Sequence, residues 1–202
     1  MIVLHYTAMK DAVSARDWLC NPESQVSAHY LIGRDGTLWQ MVDEDARAWH
    51  AGAGAWGACT DVNSRSIGIE LDNTGAVPFA ASLMDRLEDL LRGVMGRWRI
   101  EPARVVAHSD TAPGRKIDPG RRFDWRRLAR SGLCVWPEAG APGDPWVDLH
   151  RIGYRWANGQ RDAVLEAFRS RFRPEAAGRG GAPDAVDAAL AAGLATRFPC
   201  SD

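Results

Sequence analysis

Residues 81–98 place Leu83, Leu87, Leu90, Leu91, Val94, Met95 and Trp98 at helical spacing, a pattern that predicts one long amphipathic helix. Short β-type runs flank it at 66–71 and 103–107, and a third opens the chain at 1–7. An apolar helix stripe has to be buried, and short apolar strands supply the complementary face. The alternation therefore predicts an α/β fold with helices covering a central sheet. A ragged apolar face over 9–20 (Ala12, Val13, Ala15, Trp18) predicts a further helix, and the runs 26–32 and 37–42 around Gly33-Arg34-Asp35-Gly36 predict a β-hairpin.

The run at 103–107 leads into VVAHSDTAPGRKIDPGRRFDW, residues 105–125, which delivers His108 where the apolar stretch stops. Two Pro-Gly pairs, Pro113-Gly114 and Pro119-Gly120, then turn the chain into a loop of restricted shape. A histidine at a strand end and Asp118 ten residues on are spaced so that the loop can fold the carboxylate back beside the imidazole, as zinc ligands require. Lys116 lies inside the same loop. Of 25 Lys+Arg, only Lys10 and Lys116 are lysine, leaving 25 − 2 = 23 arginines. Where most cations are written as Arg, a lysine next to Arg115 points to a compact ammonium that guanidinium cannot replace. A short helix at 124–131, with Asp124 as its N-cap, closes the segment.

Five motifs, VLHYT (3–7), AHYLIGRDG (28–36), AWHAG (48–52), SIGIEL (66–71) and AHSDTAPGRKIDPG (107–120), resemble the zinc-dependent N-acetylmuramoyl-L-alanine amidases of the AmpD/AmiD type. That family is related to the peptidoglycan-recognition proteins. The resemblance spans about residues 1–136 and keeps the family's motif order. It implies a mixed central sheet of the amidase-2 kind, with His5, His108 and Asp118 as ligands of Zn2+. It also implies Glu70 as general base and then acid, beside Lys116, for cleavage of the bond between the lactyl group of N-acetylmuramic acid and L-alanine. The residues read alone agree in part: a carboxylate near the end of the apolar run 66–71 is costly unless it has a partner or a task. The alternative is a zinc-containing recognition protein without turnover, against which Glu70, Lys116 and Asp118 speak together. His29 and His50 are candidates for the site or for packing. Asn63 and Arg115 are candidate substrate contacts, since muropeptides present amides and carboxylates. Trp39, Trp49 and Trp56 lie near enough in the motifs to stack on sugar.

A net charge of −1 gives no general attraction to nucleic acid, and no apolar run approaches the ~18 residues of a membrane span. Cys20, Cys59, Cys134 and Cys200 are far apart and form no metal or disulfide pattern. MIVLHYTAMK has neither a basic lead nor a long apolar core, so it reads as a strand, and the expectation is a cytoplasmic, monomeric enzyme acting on muropeptides, including 1,6-anhydro forms. The resemblance implies more chain ahead of the first strand than Met1 leaves, and an upstream leader would move the enzyme outside the cytoplasm. Residues 137–145 (PEAGAPGDP) read as a linker between a catalytic domain, 1–136, and a small helical module, 146–202. Its helices are marked by Val164, Leu165, Phe168 and Phe172 and by 185–194, a pattern weakly similar to wall-binding modules.

Overall fold

The computed structural model describes residues 1–200. Five strands, β1 (Ile2–Tyr6), β2 (Tyr30–Ile32), β3 (Leu38–Gln40), β4 (Ile67–Leu71) and β5 (Val105–Ala107), form one sheet in the order β3-β2-β4-β1-β5. The pairs β1–β4, β1–β5 and β2–β4 are parallel and β2–β3 is antiparallel, so the sheet is mixed. Seven α-helices accompany it: α1 (Ala12–Leu19), α2 (Ala81–Trp98), the four-residue α3 (His108–Thr111), α4 (Trp125–Arg130), α5 (Pro145–Ile152), α6 (Arg161–Phe172) and α7 (Ala185–Arg197).

Side-chain alternation divides the strands between two cores. Ile2 and Leu4 of β1, Ile67, Ile69 and Leu71 of β4, and Val105 and Ala107 of β5 pack with Leu83, Leu87, Leu91 and Val94, the stripe that predicted α2. The residues between them, Val3 and Val106, join a second cluster with Leu149, Tyr154, Val164, Phe168, Phe172 and Leu194. Each fully buried side chain of this size contributes about 1.5–3 kcal/mol. Segment 137–145 therefore divides the chain but not its interior: α5, α6 and α7 cover the second face of the sheet. Pro145 is the first residue of α5, whose N-cap Asp144 accepts the Trp146 N–H at 2.8 Å.

The hairpin is shorter than its apolar runs. Its loop closes through Gly33 N–H to Thr37 O at 2.8 Å, and Gly36 takes φ +87°, which a side chain would disfavour. In α1 only Ala12 and Ala15 are buried, against Leu31, while Val13 and Trp18 are each 50% exposed. Among the described residues no helix is long and apolar enough to cross a membrane, and the four cysteines form no disulfide.

Candidate active site

In a sheet whose central strands run parallel, their C-terminal ends open on a common edge where a ligand can lie. His5 and Glu70 are Cα partners in the β1–β4 register, so both side chains leave the same face near that edge. β5 ends at Ala107 and passes into α3, which begins with His108. The loop after α3 returns Asp118, whose carbonyl accepts the Ser109 N–H at 3.0 Å.

His5 Nδ1, His108 Nδ1 and Asp118 Oδ2 form a triangle with sides of 2.9, 3.0 and 2.9 Å. The far side of each ring fixes which nitrogen carries the proton. His108 Nε2–H donates to Ala51 O at 2.9 Å, leaving Nδ1 a lone pair in the neutral ring. For His5 the chain of bonds is longer. The Ser66 hydroxyl donates to Val62 O, so its oxygen accepts from His50 Nε2–H at 3.3 Å. His50 Nδ1 is then an acceptor for His5 Nε2–H at 3.0 Å, and His5 Nδ1 presents its lone pair. Three lone-pair atoms about 3 Å apart repel one another unless a cation lies between them. Two neutral imidazoles and one carboxylate are the donor set of an open zinc site. Burial and the adjacent His108 hold the His5 imidazole down to about 4, so it stays neutral near pH 7. Burial alone would raise the Asp118 carboxyl, but the bonds and charges of His108 and His5 outweigh it and hold it well below the usual carboxylate range.

A cleft of about 520 Å³ opens over the triangle, lined by Glu70, Lys116, His50 and Arg115, with Tyr6, Trp18, Trp49 and Ile117 among its apolar walls. Trp49 and Ile117 are 56% and 70% exposed. Glu70 Oε2 is out of solvent and has no hydrogen-bond partner. Burial first, and the Asp118 charge second, raise the Glu70 carboxyl well above its ordinary value, against the opposing pull of Lys116.

Some candidate contacts lie elsewhere. His29 is fully buried away from the cleft, accepting the Gly68 N–H on Nδ1 at 3.0 Å and donating from Nε2 to Ala46 O at 3.1 Å. Asn63 Oδ1 accepts the backbone N–H groups of His50 and Ala51 at 3.1 and 2.8 Å, so its amide oxygen braces the AWHAG turn and does not face the cleft. Arg115 lies on the rim, and its guanidinium donates to the Ala51 and Ala53 carbonyls. Trp56 is buried against Tyr154 and Trp39 packs beside Ala12 and Leu31, so of the three tryptophans only Trp49 reaches the cleft. Ser66, Tyr6, Trp18 and Ile117 also belong to the site and carry no chemical signature of it in the sequence. Ser66 opens SIGIEL and Tyr6 follows His5, so only motif adjacency pointed to either. Gly68 has a steric reason: a Cβ there would lie 2.4 Å from the His50 ring.

Residues 1–121 match the family model described as Amidase_2, N-acetylmuramoyl-L-alanine amidase. The N-acetylmuramoyl-L-alanine amidase AmiD of Escherichia coli K12 is 36% identical over 98% of this chain and 83% of its own. The 1,6-anhydro-N-acetylmuramyl-L-alanine amidase AmpD of Haemophilus influenzae is 40% identical, over 54% of this chain and 60% of its own. Among solved structures, the complex of E. coli AmiD with the substrate anhydro-N-acetylmuramic acid-L-Ala-D-gamma-Glu-L-Lys superposes with a TM-score of 0.88 at 34% identity, covering 99% of this chain and 90% of that one. AmpDh3 of Pseudomonas aeruginosa in complex with anhydromuramic pentapeptide gives a TM-score of 0.88 at 29% identity, covering 99% and 92%.

Proposed function

This chain belongs to the Amidase_2 family of N-acetylmuramoyl-L-alanine amidases, and from that premise we propose that it hydrolyses the lactyl–L-alanine amide of muropeptides, 1,6-anhydro forms included, with a zinc ion held by His5, His108 and Asp118. The observation that carries the reading is the unpartnered Glu70 Oε2 beside the three-atom triangle. A buried carboxyl oxygen left without a bond is expensive in a fold that satisfies its neighbours, and a reacting water or amine is the partner it lacks.

Zinc held there supplies a Lewis acid and brings a water within reach of deprotonation near pH 7. Glu70, with its raised proton affinity, takes the proton as the water oxygen attacks the lactyl carbonyl carbon. The Lys116 ammonium faces the same cleft and donates toward the carbonyl oxygen as it becomes negative. Glu70 then returns its proton to the nitrogen as the C–N bond breaks, leaving a lactyl carboxylate and the free amine of L-alanine. His50 and Ser66 keep the His5 lone pair aimed at the triangle. Trp49, Trp18 and Tyr6 offer apolar faces to sugar and peptide at the cleft walls. Arg115 reaches the substrate only from the rim, because its donors already hold the Ala51 and Ala53 carbonyls.

The test is incubation with an anhydro-muropeptide and mass analysis of the products, before and after zinc is stripped by a chelator and restored. Release of the intact stem peptide, lost on stripping and recovered with zinc, is the expected result. Tight muropeptide binding with no cleavage by the zinc-loaded protein would replace the enzyme with a recognition protein. Cleavage elsewhere in the peptide would replace the bond.

A further inference from the structure

Asp110 stands two residues beyond His108 and is completely buried. Its Oδ2 accepts the Ala107 N–H at 2.9 Å, which fixes the turn from β5 into α3. The other partners of this carboxylate come from beyond the linker. Tyr154, after α5, donates its hydroxyl to Oδ1 at 2.6 Å, and Arg171 of α6 pairs with Oδ2. The Arg171 guanidinium also donates to Val105 O at 2.8 Å and lies 4.4 Å over the Trp125 ring. One arginine thus grips the start of β5 directly and its end through Asp110. His108 follows directly on the second of these grips. Gly57 N–H to Gly153 O at 2.8 Å, and the Trp56–Tyr154 ring contact, tie the same region to the glycine-rich loop whose Ala51 carbonyl orients His108.

We propose that Arg171 and Tyr154 are positioning residues for the metal centre, acting through Asp110 on His108, so that the C-terminal helices serve as part of the catalytic scaffold. The inference rests on His108 being a metal ligand, as proposed above. Neither residue touches the cleft, and neither is among the ligands. A buried carboxylate with only its backbone partner would move toward water, and that movement releases the Ala107 N–H and loosens the turn on which His108 stands. Groups that orient a metal's ligands typically alter metal affinity or activity when removed.

The experiment uses the full-length zinc enzyme with Arg171→Met, Arg171→Lys and Tyr154→Phe. Zinc affinity is read by competition with a chromophoric chelator, ligand geometry by the visible spectrum of the cobalt-substituted protein, and turnover by kcat and KM separately. Folded Arg171→Met should bind zinc roughly 10–100-fold more weakly, with an altered cobalt spectrum and a fall in kcat larger than any rise in KM. Tyr154→Phe should shift the same readouts in the same direction by less. Arg171→Lys keeps the charge beside Asp110 but cannot also span to Val105 O, so it should fall between. Folded variants with affinity, spectrum and kcat within about twofold of the parent would reduce Arg171 and Tyr154 to core packing. If Arg171→Met does not fold, Tyr154→Phe, which removes one hydroxyl, decides on the same readouts. A parent that binds no zinc removes the metal reading and this inference together, whereas a zinc-binding parent with indifferent variants removes this inference alone.

Discussion

Glu70→Gln keeps the shape of a side chain that contributes no atom to the His5–His108–Asp118 triangle, so the variant should load zinc as the parent does. Its kcat should still fall by about 10²-fold or more, because the amide cannot carry a proton from water to the leaving amine. Zinc content by elemental analysis beside a turnover assay checks both halves, and near-parental turnover would remove Glu70 as the base. Lys116→Arg separates charge from geometry. A guanidinium is planar and forked, and at a cleft wall shared with Glu70 it cannot put one donor about 3 Å from the nascent oxyanion in the ammonium's place. The variant should fold, hold zinc and lose on the order of 10²-fold in kcat; full activity would make the lysine incidental. His5, Glu70, His108, Lys116 and Asp118, chosen from motif and strand-end position, do converge on one cleft. His29, a candidate for the site or for packing, and Asn63, a candidate from the amides and carboxylates of muropeptides, lie elsewhere, because their partners are backbone groups of Gly68, Ala46, His50 and Ala51. Backbone donors leave no trace in residue type, so a histidine that braces a strand and one that binds a metal look alike in one dimension.

Elements with a periodic signal were legible and those made by pairing were not. The stripe over 81–98 gave α2 to the residue, whereas the apolar runs around the hairpin overstated β2 and β3, whose lengths depend on the partner strand and on Gly33 and Gly36 closing the turn. The four residues of α3 are too few to repeat, and α5 was hidden because Pro145 and Asp144 read equally as loop and as helix start. The end of α2 is tied down by Glu44, whose carboxylate accepts from Tyr30 OH at 2.6 Å, Arg97 Nε at 3.0 Å and Trp98 Nε1 at 2.6 Å. The hydrogen bond from Arg97 leads in lowering this carboxyl to about 2. A carboxyl depressed in the folded state adds stability above its ordinary unfolded value, and loses it as pH falls toward the folded value. Because Arg97 is half-exposed, the clamp is worth about 1–2 kcal/mol after screening, not the full shift. Chemical denaturation should therefore find Glu44→Gln less stable than the parent by that amount at pH 7, and nearly equal to it near pH 2.5. A gap that does not narrow on acidification would show that the carboxylate's charge is not what matters.

At the scale of the whole molecule, the composition shift at 137–145 suggested two bodies, and composition could not reveal that the sheet has two faces to cover. β1 and β5 are buried on both sides, and the second side is closed by helices that follow the linker. A chain ending at residue 136 would retain every metal-ligand candidate, together with Glu70 and Lys116. It would also expose Val3, Val106, Trp56 and Val62, and strip Asp110 of both Tyr154 and Arg171. Losing contacts for several such side chains, at about 1.5–3 kcal/mol each, is comparable to the 5–15 kcal/mol that holds a typical domain together. The fragment 1–136 should therefore bind a hydrophobic dye, melt without a cooperative transition and hold zinc poorly, while the full chain melts cooperatively. Calorimetry, dye fluorescence and zinc titration on the two chains check this. A fragment with a sharp transition near that of the full chain would mean that the catalytic half closes its own second face, and that α5, α6 and α7 were added to a domain already complete.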